Sequence, residues 1–150
     1  MSRRDQIRMT DDEVRDFLDA ATTMTLATLG ADGRPHLTAM WYGVRDGHVV
    51  FWSYGRAQKI VNLRRDPRLS ILVETGKDYA ELRGVSLTGT GVILDDPDEV
   101  LAVGRLLLAR QGAASESAAQ AAATAPKRVA VRIDADQITS WDHRKLGGGY

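Results

Sequence analysis

The chain has 150 residues, 43% hydrophobic and 27% charged, enough for one domain with a real core. Its 20 Lys and Arg balance 20 Asp and Glu, which argues against bulk nucleic-acid binding or attraction to a membrane surface. There is no cysteine, which excludes disulfides, thiolate metal sites and a cysteine nucleophile. No apolar run approaches the roughly 20 residues of a membrane span. Polar Met1 to Arg8 lacks the apolar centre of a signal peptide, so a cytoplasmic protein is expected.

Thr10-Asp11-Asp12-Glu13 reads as a capping box, and Val14, Phe17, Leu18 and Ala21 then recur at helical spacing. Thr22 to Leu29 alternates like a strand. Gly30 to Pro35 is a turn whose Asp-Gly pair suits a hairpin. His36 to Val44 is the expected return strand, Asp46-Gly47 a second turn, and His48 to Tyr54 a third strand. Short turns between successive strands imply an antiparallel meander.

A basic helix follows, Arg56 to Arg65, with Ala57, Ile60, Val61 and Leu63 facing inward and Asp66-Pro67 ending it. Its first turn carries Arg56 and Lys59 beside free backbone N–H groups, an arrangement that suits a phosphate. Charge runs are usually solvated surface, and Arg64, Arg65 and Arg68 near the helix end complement its dipole. Leu69 to Glu74 is a fourth strand. Tyr79 to Leu94 is a long fifth one whose Gly84, Gly89 and Gly91 suggest bulges or coiling. Asp95 to Glu99 starts another helix, with an Asp cap and a first-turn proline. The Ala-rich stretch Gly112 to Pro126 reads as a short helix or a loop. Lys127 to Ile133 is the last clear strand, and Ile138 to Asp142 extends it or pairs elsewhere. The expectation is a mainly β, α+β domain: a six-stranded antiparallel barrel with flanking helices.

The meander followed by Asn62-Leu63-Arg64-Arg65-Asp66-Pro67-Arg68 resembles the pyridoxamine 5′-phosphate oxidase-like split-barrel family. Thr25 to Thr28, Asp32 to His36 and Lys59 add to the likeness, which is nearest to the flavin/deazaflavin-dependent oxidoreductase group and covers about Asp11 to Ile133. The resemblance implies a single cofactor-binding domain spanning 1–150, with its core at about 11–142, in a homodimer whose sites lie between subunits. It implies F420 as cofactor, with FMN as the alternative, and hydride exchange with a small organic substrate. Lys59 and Arg56 would hold the phosphate, with Ser53 donating to it; by long-range attraction Arg64, Arg65 and Arg68 could steer an acidic tail. Thr38, Ala39, Met40 and Trp41 would lie beside the ring. Trp141 and His143, with Arg144 and Lys145, would come from the other chain, and His143 could pass a proton. A pyridoxal-type oxidase and a non-catalytic binder of flavin, haem or another tetrapyrrole are the competing readings.

Three residues read differently beside these. His36, His48 and His143 lie far apart without metal-ligand spacing, so no metal is expected. Trp41 and Tyr42 take opposite faces of one strand, as do Phe51 and Trp52, so one of each pair belongs to the core. No phosphate loop and no Ser-His-Asp set is present in the spacing.

Overall fold

Thr10 and Glu13 close a reciprocal cap in the computed structural model, which describes residues 1–112 and 114–147. Thr10 Oγ1 accepts from the Glu13 amide at 3.2 Å, and Glu13 Oε2 accepts from the Thr10 amide at 2.7 Å. A short helix α1 (Arg3–Gln6) precedes this one, α2 (Asp11–Ala20). Val14, Phe17 and Leu18 of α2 are buried, as their spacing requires.

The strands are β1 (Thr23–Leu29), β2 (Pro35–Trp41), β3 (Gly43–Arg45), β4 (His48–Tyr54), β5 (Arg68–Thr75), β6 (Arg83–Leu94) and β7 (Arg128–Asp142). All described pairings are antiparallel, in the order β2-β1-β5-β6-β7-β4-β3. Asp46 and Gly47 both have positive φ, 51° and 77°, the tight turn that Asp-Gly favours between β3 and β4.

Seven strands stand where six were expected, because His36 to Val44 is broken at Tyr42. Tyr42 alone separates β2 from β3, yet these strands occupy opposite ends of the sheet order. One bent strand therefore supplies both edges, and the sheet must curl round into a half-barrel. Tyr42 holds the bend: its amide donates to Thr22 O at 3.1 Å, and its buried hydroxyl donates to Leu18 O at 2.6 Å.

Other boundaries also move. Tyr79–Glu81 forms a 3-10 turn, so the fifth predicted strand begins only at Arg83. β7 runs on through Ile138 to Asp142 as one strand of 15 residues. Its register shifts against β6 at Thr88/Gly89, where a Cβ on Gly89 would overlap Asp134 O. The Ala-rich stretch is helical over α5 (Ala114–Thr124), and Ala113 lies outside the described residues.

Two cores result. Inside the half-barrel, Leu26, Tyr42, Phe51, Ile60, Ile71, Val85 and Val131 pack with α2 and with α3 (Gln58–Arg65). On the outside, α4 (Pro97–Ala109) covers Val50, Trp52 and Ala130, with Ala121 of α5 joining them. β4 is therefore buried on both faces, so Phe51 and Trp52 are both core and neither faces solvent. Val61, expected inward, is 44% exposed; buried Asn62 takes its place and donates to Thr28 Oγ1 at 3.0 Å. No helix among the described residues is long and apolar enough to cross a membrane.

Candidate functional site: a cationic cluster at the end of the fourth strand

β4 ends with buried Ser53 and exposed Tyr54. A tight turn follows, closed by the Ala57 amide donating to Tyr54 O at 3.0 Å. Arg56 lies in this turn, not in the first turn of α3, which begins at Gln58. Ala57 offers no side chain to cap α3, so its first amides are left without a side-chain acceptor. Lys59 points back from α3, with Nζ 3.5 Å from Ser53 Oγ.

β7 completes the cluster. Antiparallel pairing sets Arg128 opposite Tyr54. Its guanidinium lies between two rings, 4.4 Å from the Trp52 centroid and 4.3 Å from that of Tyr54. Both contacts are within cation–π range. Arg128 Nε is buried and has no hydrogen-bond partner. Burial, and after it the nearby Arg128, holds the Lys59 ammonium below the usual lysine range. Arg56 and Lys127 line a cavity of about 550 Å³ with Arg128 and Tyr54. Among the described residues, no carboxylate forms an ion pair with Lys59, Arg56, Lys127 or Arg128. Unneutralised like charges brought together by folding are what an anion site requires.

A second cavity, about 340 Å³, lies on the other side of Arg128 and is lined by Ala39, Met40, Trp41, Trp52 and Leu108. Thus β2 and the cationic cluster meet through Arg128. On β2, Thr38 and His36 share one face, and Thr38 Oγ1 and His36 Nδ1 are buried without partners. Ala39 and Trp41 face outward, and Trp41 is 51% exposed.

The remaining expected residues lie elsewhere. Arg64 is exposed on α3, five residues from Lys59 and so rotated from it by about 140°. Arg65 donates to Leu29 O at 2.7 Å, and Arg68 pairs with Asp66, whose carboxyl it holds down to about 2. Trp141 lies across from Gly84, where a Cβ would overlap its ring. His143 Nδ1 is 2.9 Å from Tyr79 O, and the two rings are 4.4 Å apart. Arg144 pairs with Asp142, and Lys145 with Glu13. Trp141 is 13 strand positions from Arg128, on the order of 40 Å along β7. Within one chain, these tail residues do not join the cluster.

A larger cleft, about 940 Å³, sits elsewhere, between the N-terminal segment and β7. Its Arg8 and Arg15 already face Asp5 and Asp12, so it has less unpaired charge to offer an anion. Volume alone is a poorer guide here than charge balance. Arg128 and Lys127 went unnoticed in the sequence because they merely open a strand. Only the pairing of β7 with β4 brings them beside Lys59.

A curled antiparallel sheet carrying a basic helix and an anion-ready cluster defines a split barrel of the cofactor-binding kind. The chain belongs to the pyridoxamine 5′-phosphate oxidase family, whose model matches residues 10–142. The conserved hypothetical protein Rv2991 from Mycobacterium tuberculosis is 44% identical, with a TM-score of 0.92 over 100% of this chain and 95% of that one. An F420 reductase is 24% identical, with a TM-score of 0.66 over 83% of this chain and 94% of that one. The haem storage protein HutZ from Vibrio cholerae is 16% identical, with a TM-score of 0.66 over 85% and 92% respectively. These last two likenesses establish the fold alone. The comparison with curated proteins gave no match.

Proposed function

We propose that this protein is an oxidoreductase that binds a phosphate-bearing flavin-type cofactor at the Lys59–Arg128 cluster, and that the cofactor is F420, with FMN as the alternative. The observation that carries this is the pair Lys59 and Arg128, partly buried and without a described carboxylate partner, with Arg128 also lining the cavity beside β2. Family membership and the shared fold of an F420 reductase support it. Arg56 and Lys127 add cationic surface beyond Lys59 and Arg128, which suits a cofactor carrying carboxylates besides its phosphate.

Lys59 and Arg128 would hold the phosphate by charge-assisted hydrogen bonds, with Ser53 beside them. The β2 backbone from Thr38 to Trp41 would lie beside the ring. Trp41 would shield the ring from water. The bound cofactor supplies hydride chemistry to a small organic acceptor. A homodimer would complete the site. Leu37 at 63% and Trp41 at 51% exposure put large apolar groups on the outer face of β2, which a second copy would cover. That copy would also be the source of Trp141 and His143.

Fluorescence titration of the apo protein with F420 and FMN tests the assignment, and F420 is expected to bind more tightly. Saturation by neither cofactor would remove the reading. Light scattering is expected to give twice the 16.4 kDa chain mass. One observation favours a second reading, a non-catalytic binder of flavin or haem: His143 is engaged by Tyr79 O, which leaves no described acid at the cluster. Oxidation of reduced F420 by a panel of acceptors separates the two, since a carrier would turn over none.

A further inference from the structure

We propose that the 340 Å³ cavity between β2 and the α4–α5 pair is the acceptor subsite, built for a planar conjugated molecule with a carbonyl or carboxylate oxygen at one end. Its redox role rests on the cofactor reading above; its binding of such a molecule does not.

Trp41 and Trp52 supply aromatic walls, with Ala39, Met40 and Leu108 between them. Trp52 cannot swing toward α4, because Gly104 lies so close that even a Cβ there would overlap the indole. The wall is therefore fixed and flat, which favours planar occupants over bulky ones. Among the described residues, no carboxylate lines the cavity. Among the described residues, Arg128 is its single charged group, with the guanidinium over the Trp52 and Tyr54 rings. A guanidinium has five N–H donors in a rigid fork. Arg128 lines both cavities, so it can face the phosphate on one side and an acceptor oxygen on the other. Its Nε, buried without a partner, is a donor with unmet demand. The volume falls at the small end of the range for ligand pockets, which fits one or two fused rings. α5 closes the cavity through Gln120 and Thr124.

The probe is 2-naphthoate, a redox-inert planar carboxylate, titrated into the full apo chain by tryptophan fluorescence and calorimetry. Binding with quenching is expected, at least tenfold weaker for 2-naphthalenemethanol and for Arg128→Gln. Gln120→Trp places bulk at the cavity mouth from an exposed helix position. It is expected to abolish naphthoate binding while F420 affinity stays within twofold of wild type. Naphthoate that does not bind, or binds equally well in Gln120→Trp, overturns the subsite. If naphthoate binds as described but F420 never does, the pocket stands and the cofactor reading falls. If F420 binds and naphthoate does not, the pocket alone falls.

Discussion

Arg128 adds to the burial that holds the Lys59 ammonium below its usual range, although these two like charges come from elements far apart in the chain. Folding has placed a repulsion where it has no structural use. Anions relieve that repulsion, and this asymmetry separates a ligand site from a solvated helix face.

Lys59→Ala is expected to weaken cofactor binding by about 1.5–3 kcal/mol, the range for hydrogen bonds to charged groups. Urea unfolding of the apo variant should show no loss of stability, because a desolvated cation beside another cation has been removed. A variant that binds normally, or one that unfolds early, would make Lys59 a structural residue.

The depressed pKa of Lys59 sets a pH dependence. A lysine whose folded pKa lies below its unfolded value opposes folding while it is charged, and the penalty fades as pH rises through the folded pKa. Anion binding needs the charged form. Affinity for F420 should therefore hold near neutrality and fall on the alkaline side, beginning below 10.5, the ordinary lysine value. Lys59→Arg should flatten that decline in titrations at increasing pH.

Tyr42→Phe removes the donor to Leu18 O at the bend that joins β2 to β3. Leu18 O keeps the longer bond from Arg110 Nη2 at 3.4 Å, so the cost is that of one lost hydrogen bond, about 0.5–1.5 kcal/mol. Denaturant unfolding should show that loss. Tyr42 itself should resist ionisation, since burial pushes its phenol up to about 12.

Gly104→Ala should have the opposite effect to the one helix propensity forecasts. Alanine gains about 1 kcal/mol over glycine inside a helix. Here the added methyl meets the Trp52 ring, and overpacking costs about 1–3 kcal/mol. The packing penalty should win, giving a lower thermal midpoint and a shifted tryptophan emission. A rise in the midpoint would show that α4 can slide.

Asp142 is 4% exposed, and Arg144, with burial opposing, holds its carboxyl below the usual range, helped by Arg83. The stabilisation is present above the unfolded carboxyl pKa and is lost as pH falls through the lowered folded value. Asp142→Asn should lower stability at neutral pH and flatten the acid limb of the unfolding curve below about pH 4.

Local chemistry was legible in the sequence. The Thr10–Glu13 cap, the Asp46-Gly47 turn and the Asp96-Pro97 helix start depend on residues no more than three apart, and each appears where its residues said. Gly84, Gly89 and Gly91 together suggested bulges or coiling, and the register shifts at Gly89. Lys59 stood out because it opens a basic helix. The break at Tyr42 did not stand out, since no proline or Asp-Gly pair interrupts His36 to Val44, and only curling of the sheet sends the two halves to different partners. Burial of Trp52 depended on α4 returning to the outer face. Arg128 became a site residue only when the pairing of β7 with β4 carried it 69 positions along the chain to Lys59. Charge at one position is written in the residue itself, whereas the company that charge keeps is decided by long-range pairing.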